Sequence, residues 1–525
     1  MNNKLLNWVF VSQLVLFGLI VTGVLPRTVV PYLAVALAVY VLFASLEDAT
    51  LLFVRSIPFF LAIPITANFD NFNTWRILAG IIFLKWMVKD QNLKIKSIYI
   101  LIRSYCSVNM LNKISLLLLS LFLLSTLSII PAPDKILAVK RIIYFANLSL
   151  IGFIIFDLTQ KQNFAKRLIK NISIPVIIVT IVGFIQLAST YFIDIYQFMR
   201  IWGEGIQCRQ FGEQWCNIAV QMGNTWFAYY GEQLSLRVFS LFPDSHSFPQ
   251  FVLLGLPAIF ALALSRFGIN NFENLKKMYR TRTRLIIIMV PMVLLIAILS
   301  GTRGIWAASM GVLVIIAMII VWMKKTGIDI GHKNIFKYIA GYMAVFFLLF
   351  SIAYPIFVSP QFLLSKGDWG LFGSRIKSII DFGETSNAQR IEIWKKTLIS
   401  IKERPLLGVG IGNFPVVLSQ DLFLAKAGSS AHNIYLNIAA EMGIPALIFA
   451  LWFLWLLMQK IYNNFTNSKN WEIIVYNSAA LIFVPWVLIY GLTDVALFDE
   501  RAFLLFVTTI ALILSTKNPA EAEYL

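Results

Sequence analysis

A chain whose apolar residues come in runs of about 20 has one dominant way to fold, because about 20 helical residues span the hydrocarbon core of a bilayer. Inside that core the backbone polar groups must be satisfied within the protein, which leaves helices as the natural element. Such runs recur at about 5–24, 28–45, 49–66, 73–88, 113–131, 136–157, 172–190, 248–265, 284–300, 305–323, 337–358, 434–458, 473–492 and 500–516. The pattern predicts an all-α polytopic membrane protein with about 12–14 transmembrane helices. Composition agrees, since 59% of the residues are hydrophobic and only 13% charged, which excludes a water-soluble domain with its roughly 25% charged residues. The first run follows Met1-Asn2-Asn3-Lys4 without a small-x-small cleavage site and reads as a retained anchor.

The net charge of +18 would suggest nucleic acid in a soluble protein, but there is no long basic run and no separate basic domain, so no nucleic-acid partner is expected. Topology explains the excess instead. When the runs alternate across a membrane, the Lys/Arg-rich segments 85–113, 161–170, 266–284 and 324–337 all fall on one side, which the positive-inside rule makes cytoplasmic. Both termini then lie inside. The chain divides into N-terminal helices (1–190), a first large outward loop (191–247), central helices (248–358), a second large outward loop (359–433), and C-terminal helices with a cytoplasmic tail (434–525).

Long loops between packed helices are functional or disordered, and these two read as ordered because they are rich in aromatics and carry helix patterning. Within 388–402, Ile391, Trp394, Leu398 and Ile401 share one helical face, which predicts an amphipathic helix lying on the outer membrane surface. It stops at Pro405, and Gly408-Val409-Gly410-Ile411-Gly412-Asn413 supplies a flexible turn. Trp202, Trp215 and Trp226 in the first loop either offer faces to sugar rings or pack on the membrane surface. Cys208 and Cys216 fall in the same loop and Cys106 in an inward one; the outward pair forms either a short disulfide or two free thiols.

The three histidines are unequal. His332 lies in an inward loop beside Lys333 and reads as solvated, whereas His246 and His432 end the two outward loops immediately before apolar runs. Imidazole there can serve as base or acid near neutral pH, or simply join a polar cluster at a helix start. Arg303 sits in the tight outward turn Ser300-Gly301-Thr302-Arg303-Gly304, where the glycines would let backbone approach an anionic head group; the alternative is an arginine snorkelling to the interface. Arg237 has a similar setting, and Lys140-Arg141 near the outer end of a spanning run adds a third cationic element, of the kind that faces a cavity or a bundle interior. Outer-face cations with a histidine and few clustered carboxylates suit one reaction, displacement on a lipid-linked diphosphate sugar. The departing diphosphate needs positive charge and the attacking hydroxyl needs a base. No metal or other cofactor is required, and the sequence has no Asp-x-Asp pair, His-Glu-x-x-His helix, Gly-x-Ser-x-Gly elbow or P-loop.

Four patches then carry a resemblance: Arg237 to Phe248; Ser300 to Gly304; Arg390-Ile-Glu-Ile-Trp394 through Pro405-Leu-Leu-Gly-Val-Gly-Ile-Gly-Asn-Phe414; and His432-Asn433-x-Tyr435-Leu436 with Glu441-x-Gly443. In order and placement, over roughly residues 230 to 460, they resemble the O-antigen ligase / O-antigen polymerase superfamily of bacterial membrane glycosyltransferases. The resemblance implies a glycosyltransferase-C-like fold in the bacterial inner membrane with its active site on the periplasmic face. It implies an undecaprenyl-diphosphate-linked glycan as donor and an acceptor hydroxyl on lipid A core, for a ligase, or on a growing glycan, for a polymerase. Transfer would be inverting and metal-independent. By the same resemblance His432 is the base, Arg303 and Arg237 hold the diphosphate, and Arg390 helps bind the donor, with Lys140 and Arg141 as further cations. Asn433, Tyr435 and Glu441 orient the site, and the helix at 388–402 forms a lid; His246, from its own place at a loop end rather than from the resemblance, is a further orienting candidate. One departure stands out: after the arginine the related pattern reads Gly-x-x-x-(Asp or His)-Pro-Asn, and here Ser240-Leu-Phe-Pro243-Asp244-Ser245-His246 ends in histidine.

A transporter or lipid-linked glycan flippase would instead show internal repeats and ionisable residues at mid-membrane. The sequence has no visible repeat, and its charges gather at interfaces and in two one-sided loops. A metal-using membrane glycosyltransferase would carry an acidic pair in the first outward loop, which here is Val24-Leu25-Pro26-Arg27.

Overall fold

The computed structural model describes residues 3–65, 72–88, 110–160, 163–213, 215–216, 226–230, 233–264, 281–364, 385–420 and 429–516. The chain is an all-α polytopic membrane protein. Among the described residues nine helices are long and apolar enough to cross a membrane, and Arg27–Phe43 and Ile288–Leu299 are shorter apolar helices. Two form the axis of the bundle. Ser247–Leu264 and Trp471–Tyr490 are 94% and 89% buried, against 50% or less for the other long apolar helices, as expected of helices that are hydrophobic all round.

Three apolar runs are interrupted. The run at 49–66 is helical only over Leu46–Ser56 and continues as a short turn, Ile57–Phe59. The non-helical backbone beyond it is buried and satisfied from other elements: Gln210 Nε2 donates to the Pro58 carbonyl at 2.9 Å, Arg501 Nη2 to Phe60 at 3.3 Å, and the Ala62 N–H to Gln210 at 2.9 Å. The run at 337–358 is divided at Gly341 between Ile330–Ala340 and Tyr342–Val358. The run at 434–458 is broken at Gly443 into a short helix, Ile434–Met442, and the spanning helix Ile444–Asn467.

Segments that the charge pattern places on the inner side do meet. Arg167 pairs with Glu47 at 2.7 Å and with Asp48, and Lys166 pairs with Glu472 at 2.8 Å. His332 departs from expectation: it is buried, with its ring 5.6 Å from Phe465, rather than solvated. At the opposite end, Phe227–Tyr230 and Gln233–Leu236 form an antiparallel hairpin with Phe227 opposite Leu236. Trp202 and Trp226 are buried, their indole N–H groups donating to Ser189 Oγ and the Pro243 carbonyl, each at 3.0 Å. These two tryptophans are core, not sugar platforms.

The amphipathic helix Thr385–Glu403 packs on protein with a face rotated from the one expected. Thr397 is buried and Ile401 packs in a cluster with Ala431, Ala439 and Ala440, while Leu398 and Ile399 are exposed. The glycine-rich turn after it is fixed, because the Val409 N–H donates to Ala440 at 2.8 Å and the Gly410 N–H to Glu441 at 3.0 Å. Gly443, at φ +88°, lies where a Cβ would run into the Leu406–Leu407 backbone, so both its conformation and its lack of side chain are required. Gly443→Ala should therefore lower stability by more than about 1 kcal/mol, seen as a reduced melting temperature in detergent. Gly18→Ala, inside a helix with nothing within 4 Å of an added Cβ, should not lower it; equal melting of the two variants would contradict this packing.

Candidate active site

Arg237 is delivered by the end of the hairpin. Its N–H donates to the Trp226 carbonyl at 2.8 Å and that of Val238 to Leu299 at 3.1 Å. Amide side chains then hold the non-helical stretch that follows. Gln186 Oε1 accepts the N–H groups of Phe239 and Ser240 at 3.0 and 2.9 Å, and Gln207 Nε2 donates to the Ser240 and Phe242 carbonyls at 3.3 and 3.0 Å. Left unpaired, such buried groups would cost about 1–3 kcal/mol each. Asp244 Oδ1 accepts the N–H groups of His246 and Ser247 at 2.8 and 2.7 Å and so starts the central helix Ser247–Leu264. Burial pushes the Asp244 carboxyl up, and those donors oppose the shift.

Three elements converge on the ring of His246. Arg237 Nη2 lies 3.3 Å from Nε2, the Tyr490 hydroxyl 2.8 Å from Nδ1, and Asp494 Oδ2 3.2 Å from Nδ1. A guanidinium only donates, so Nε2 is the accepting nitrogen and Nδ1 carries the proton, shared between Tyr490 and Asp494. Burial pushes the His246 pKa down to about 3 against the pull of Asp494, with Arg237, Arg390 and His432 adding to the fall. The imidazole is therefore neutral at physiological pH.

Asp494 also faces His432, whose Nδ1 lies 4.0 Å from Oδ2. That nitrogen is buried without a hydrogen bond while the side chain as a whole is 40% exposed, so the opposite edge of the ring is the accessible one. Burial lowers the His432 pKa, Asp494 opposes the shift and Arg390 adds to it. His432 has φ +46°, a left-handed conformation uncommon outside glycine, and its neighbours enforce it. Trp394 Nε1 donates to the Ala431 carbonyl at 2.9 Å, and the Ala431 N–H donates to Asn437 Oδ1 at 3.2 Å. Asn433 Oδ1 caps Ile434–Met442 by accepting from Tyr435 and Leu436 at 2.9 and 3.0 Å, and the Ile434 N–H donates to Gly491 at 2.7 Å.

Arg303 opens the helix Arg303–Lys325, whose first turn receives no side-chain cap from Thr302. The Thr302 hydroxyl donates instead to the Ser245 carbonyl at 2.7 Å and lies 3.5 Å from Arg237 Nη2. An arginine on an uncapped helix start favours an anion. The flanking glycines do different work from that expected: Gly301 admits the Arg237 side chain, and Gly304 admits Tyr490 and Thr493.

The remaining expected residues are dispersed or structural. The Tyr435 hydroxyl donates to the Leu488 carbonyl at 2.8 Å, joining the short helix to the central one. Buried Glu441 accepts from the Gly412 and Phe414 backbone and from Asn437, and feels the charge of Arg141; it holds the 405–414 turn. Arg141 lies over the Tyr144 and Phe145 rings at 5.2 and 4.9 Å. Lys140 is exposed and, among the described residues, makes no hydrogen bond or ion pair. Asp494 and Tyr490 were not anticipated from the sequence, and Thr302 and Trp394 entered it only as members of the Ser300–Gly304 turn and of the 388–402 helix. The available signal for Asp494 was a carboxylate just past the end of an apolar run, on the same side as His246 and His432.

Residues 285–451 match the family model described as O-Antigen ligase. The match includes Arg303, Arg390, His432, Asn433, Tyr435 and Glu441, while Arg237, His246 and Asp494 lie outside it. No curated protein matches the chain.

Cys208 and Cys216 are joined by a disulfide, which resolves the two alternatives the sequence left open. Of the three cysteines, only Cys106 should then be alkylated in unreduced, denatured protein, and all three after reduction. Labelling of all three without reductant, read by mass spectrometry, would contradict the bridge.

Proposed function

We propose, from the match of residues 285–451 to the O-antigen ligase family model, that this membrane protein transfers a glycan from undecaprenyl diphosphate to an acceptor hydroxyl. We take the acceptor to be lipid A core, making the enzyme a ligase in the inner membrane with its site on the periplasmic face. The observation that carries the reading is the convergence of Asp494 on two histidines beside Arg237 and Arg390. The disulfide supports the orientation, because it belongs in an oxidising compartment, and Gln207 beside it bonds to the segment that presents His246.

In this reading the accessible edge of His432 takes the proton of the acceptor hydroxyl as its oxygen attacks the anomeric carbon. The glycan–phosphate bond breaks, and its electron pair leaves with the diphosphate. Arg237, Arg303 and Arg390 hold the growing negative charge, a role that fixed cations fill without reorganising. Asp494 steadies the imidazolium that forms on His432, as the carboxylate of a hydrolase triad does. The exposed Leu398, Ile399 and Leu406 give the helix Thr385–Glu403 and the turn after it an apolar edge for the membrane surface, beside the cleft through which a lipid-linked donor would arrive.

Transfer in vesicles supplied with lipid-linked donor and acceptor should fall by about 10²–10⁴ in His432→Ala; activity retained in that variant would remove the assigned base. Since burial holds His432 below the ordinary value of 6.5, the base form predominates at neutral pH. The acid limb of kcat/KM should lie below that value, and a limb above it would contradict the assignment. Purified enzyme given donor alone should not extend the glycan; extension would make it a polymerase.

A further inference from the structure

The segment that departs from the related pattern places His246 between two opposite charges. Arg237 Nη2 approaches one edge of the ring at 3.3 Å and Asp494 Oδ2 the other at 3.2 Å. Each charge has separate work in the function proposed above, on which this inference rests: the guanidinium for the diphosphate, the carboxylate for His432. Left to themselves in a buried site, a guanidinium and a carboxylate form a bidentate ion pair. Such a pair would neutralise both.

We propose that His246 is a neutral spacer that accepts from Arg237, donates to Asp494, and prevents the two from pairing. The ring suits this task because it is rigid, presents an acceptor and a donor at opposite edges, and carries no charge of its own. Its position is overdetermined. The His246 N–H is held by Asp244, and its Nδ1 proton is shared with Tyr490. Thr302 and Ser300 meet the Arg237 side chain from the neighbouring turn at 3.5 Å. A side-chain amide also accepts at one end and donates at the other. His246 is thus a positioning residue. The groups facing it are Asp494, Arg237, Arg390, His432 and Tyr490, and those facing His432 are Asp494 and Arg390.

The test uses full-length protein in nanodiscs with nitrogen-labelled histidine, since the chain has only three histidines and their ring signals can be assigned by substitution. Wild-type His246 should show the Nδ1–H tautomer and stay neutral from about pH 5 to 8. In His246→Ala, Arg237 closes on Asp494, so His432 loses the carboxylate that raises its pKa and should titrate at lower pH. His246→Gln should keep the wild-type titration. Donor KM should rise about tenfold or more in the alanine variant and recover in the glutamine variant. An Nε2–H tautomer at His246, or an unmoved His432 titration in folded His246→Ala, would overturn the proposal. Should the alanine variant not fold, the wild-type tautomer decides the matter. These spectra do not require transfer, so a protein that moves no glycan yet shows the shift would contradict the proposed function and leave the spacer standing.

Discussion

Charge buried within a bundle of apolar helices costs several kcal/mol per ion unless it is paired or hydrogen-bonded. At one end of this bundle Asp494 is buried close to two histidines and two arginines. Much of the surrounding structure serves to make that arrangement tolerable. Tyr490 brings a hydroxyl from the end of a central helix, Asp244 starts the other central helix and fixes His246, and Thr302 ties the Arg303 turn to Ser245. The site is built from the ends of the two most buried helices and from the loops that pack on them, so its geometry is set by the core.

The described residues 385–420 and 429–433 are tied to the same core by hydrogen bonds. Trp394 holds the left-handed His432 turn, Glu441 and the Val409–Gly410 amides fasten the glycine-rich turn, and Gly443 lets the short helix bend sharply into the next span. A histidine exposed on one edge and buried on the other results, which is the disposition a general base needs if its carboxylate partner is to stay dry while its substrate comes from outside.

The helical class and the positions of most helices were legible in the sequence, because a run of about 20 apolar residues has little else to become. Interruptions were harder to see. The 49–66 run looks like a span by composition, yet its second half is non-helical and relies on Gln210 and Arg501, partners about 150 and 440 residues away. The amphipathic helix was legible as a helix, but its buried stripe was not, since Thr397 packs inside and Leu398 faces out. At the site, His246, His432 and Arg237 were identified as candidates from their loops alone. Asp494, the carboxylate that the two histidines share, was not, because it lies 248 positions from His246 and 62 from His432 and only folding brings them together.

In the proposed reaction His432, supported by Asp494, drives a single displacement at the anomeric carbon. Configuration at that carbon tests it most directly. If the glycan linkage is assigned by NMR in the lipid-linked donor and again in the transferred product, a single displacement inverts it. Retention would require a covalent glycosyl intermediate, which this pairing of one base with a cationic diphosphate cradle does not provide, and would contradict it.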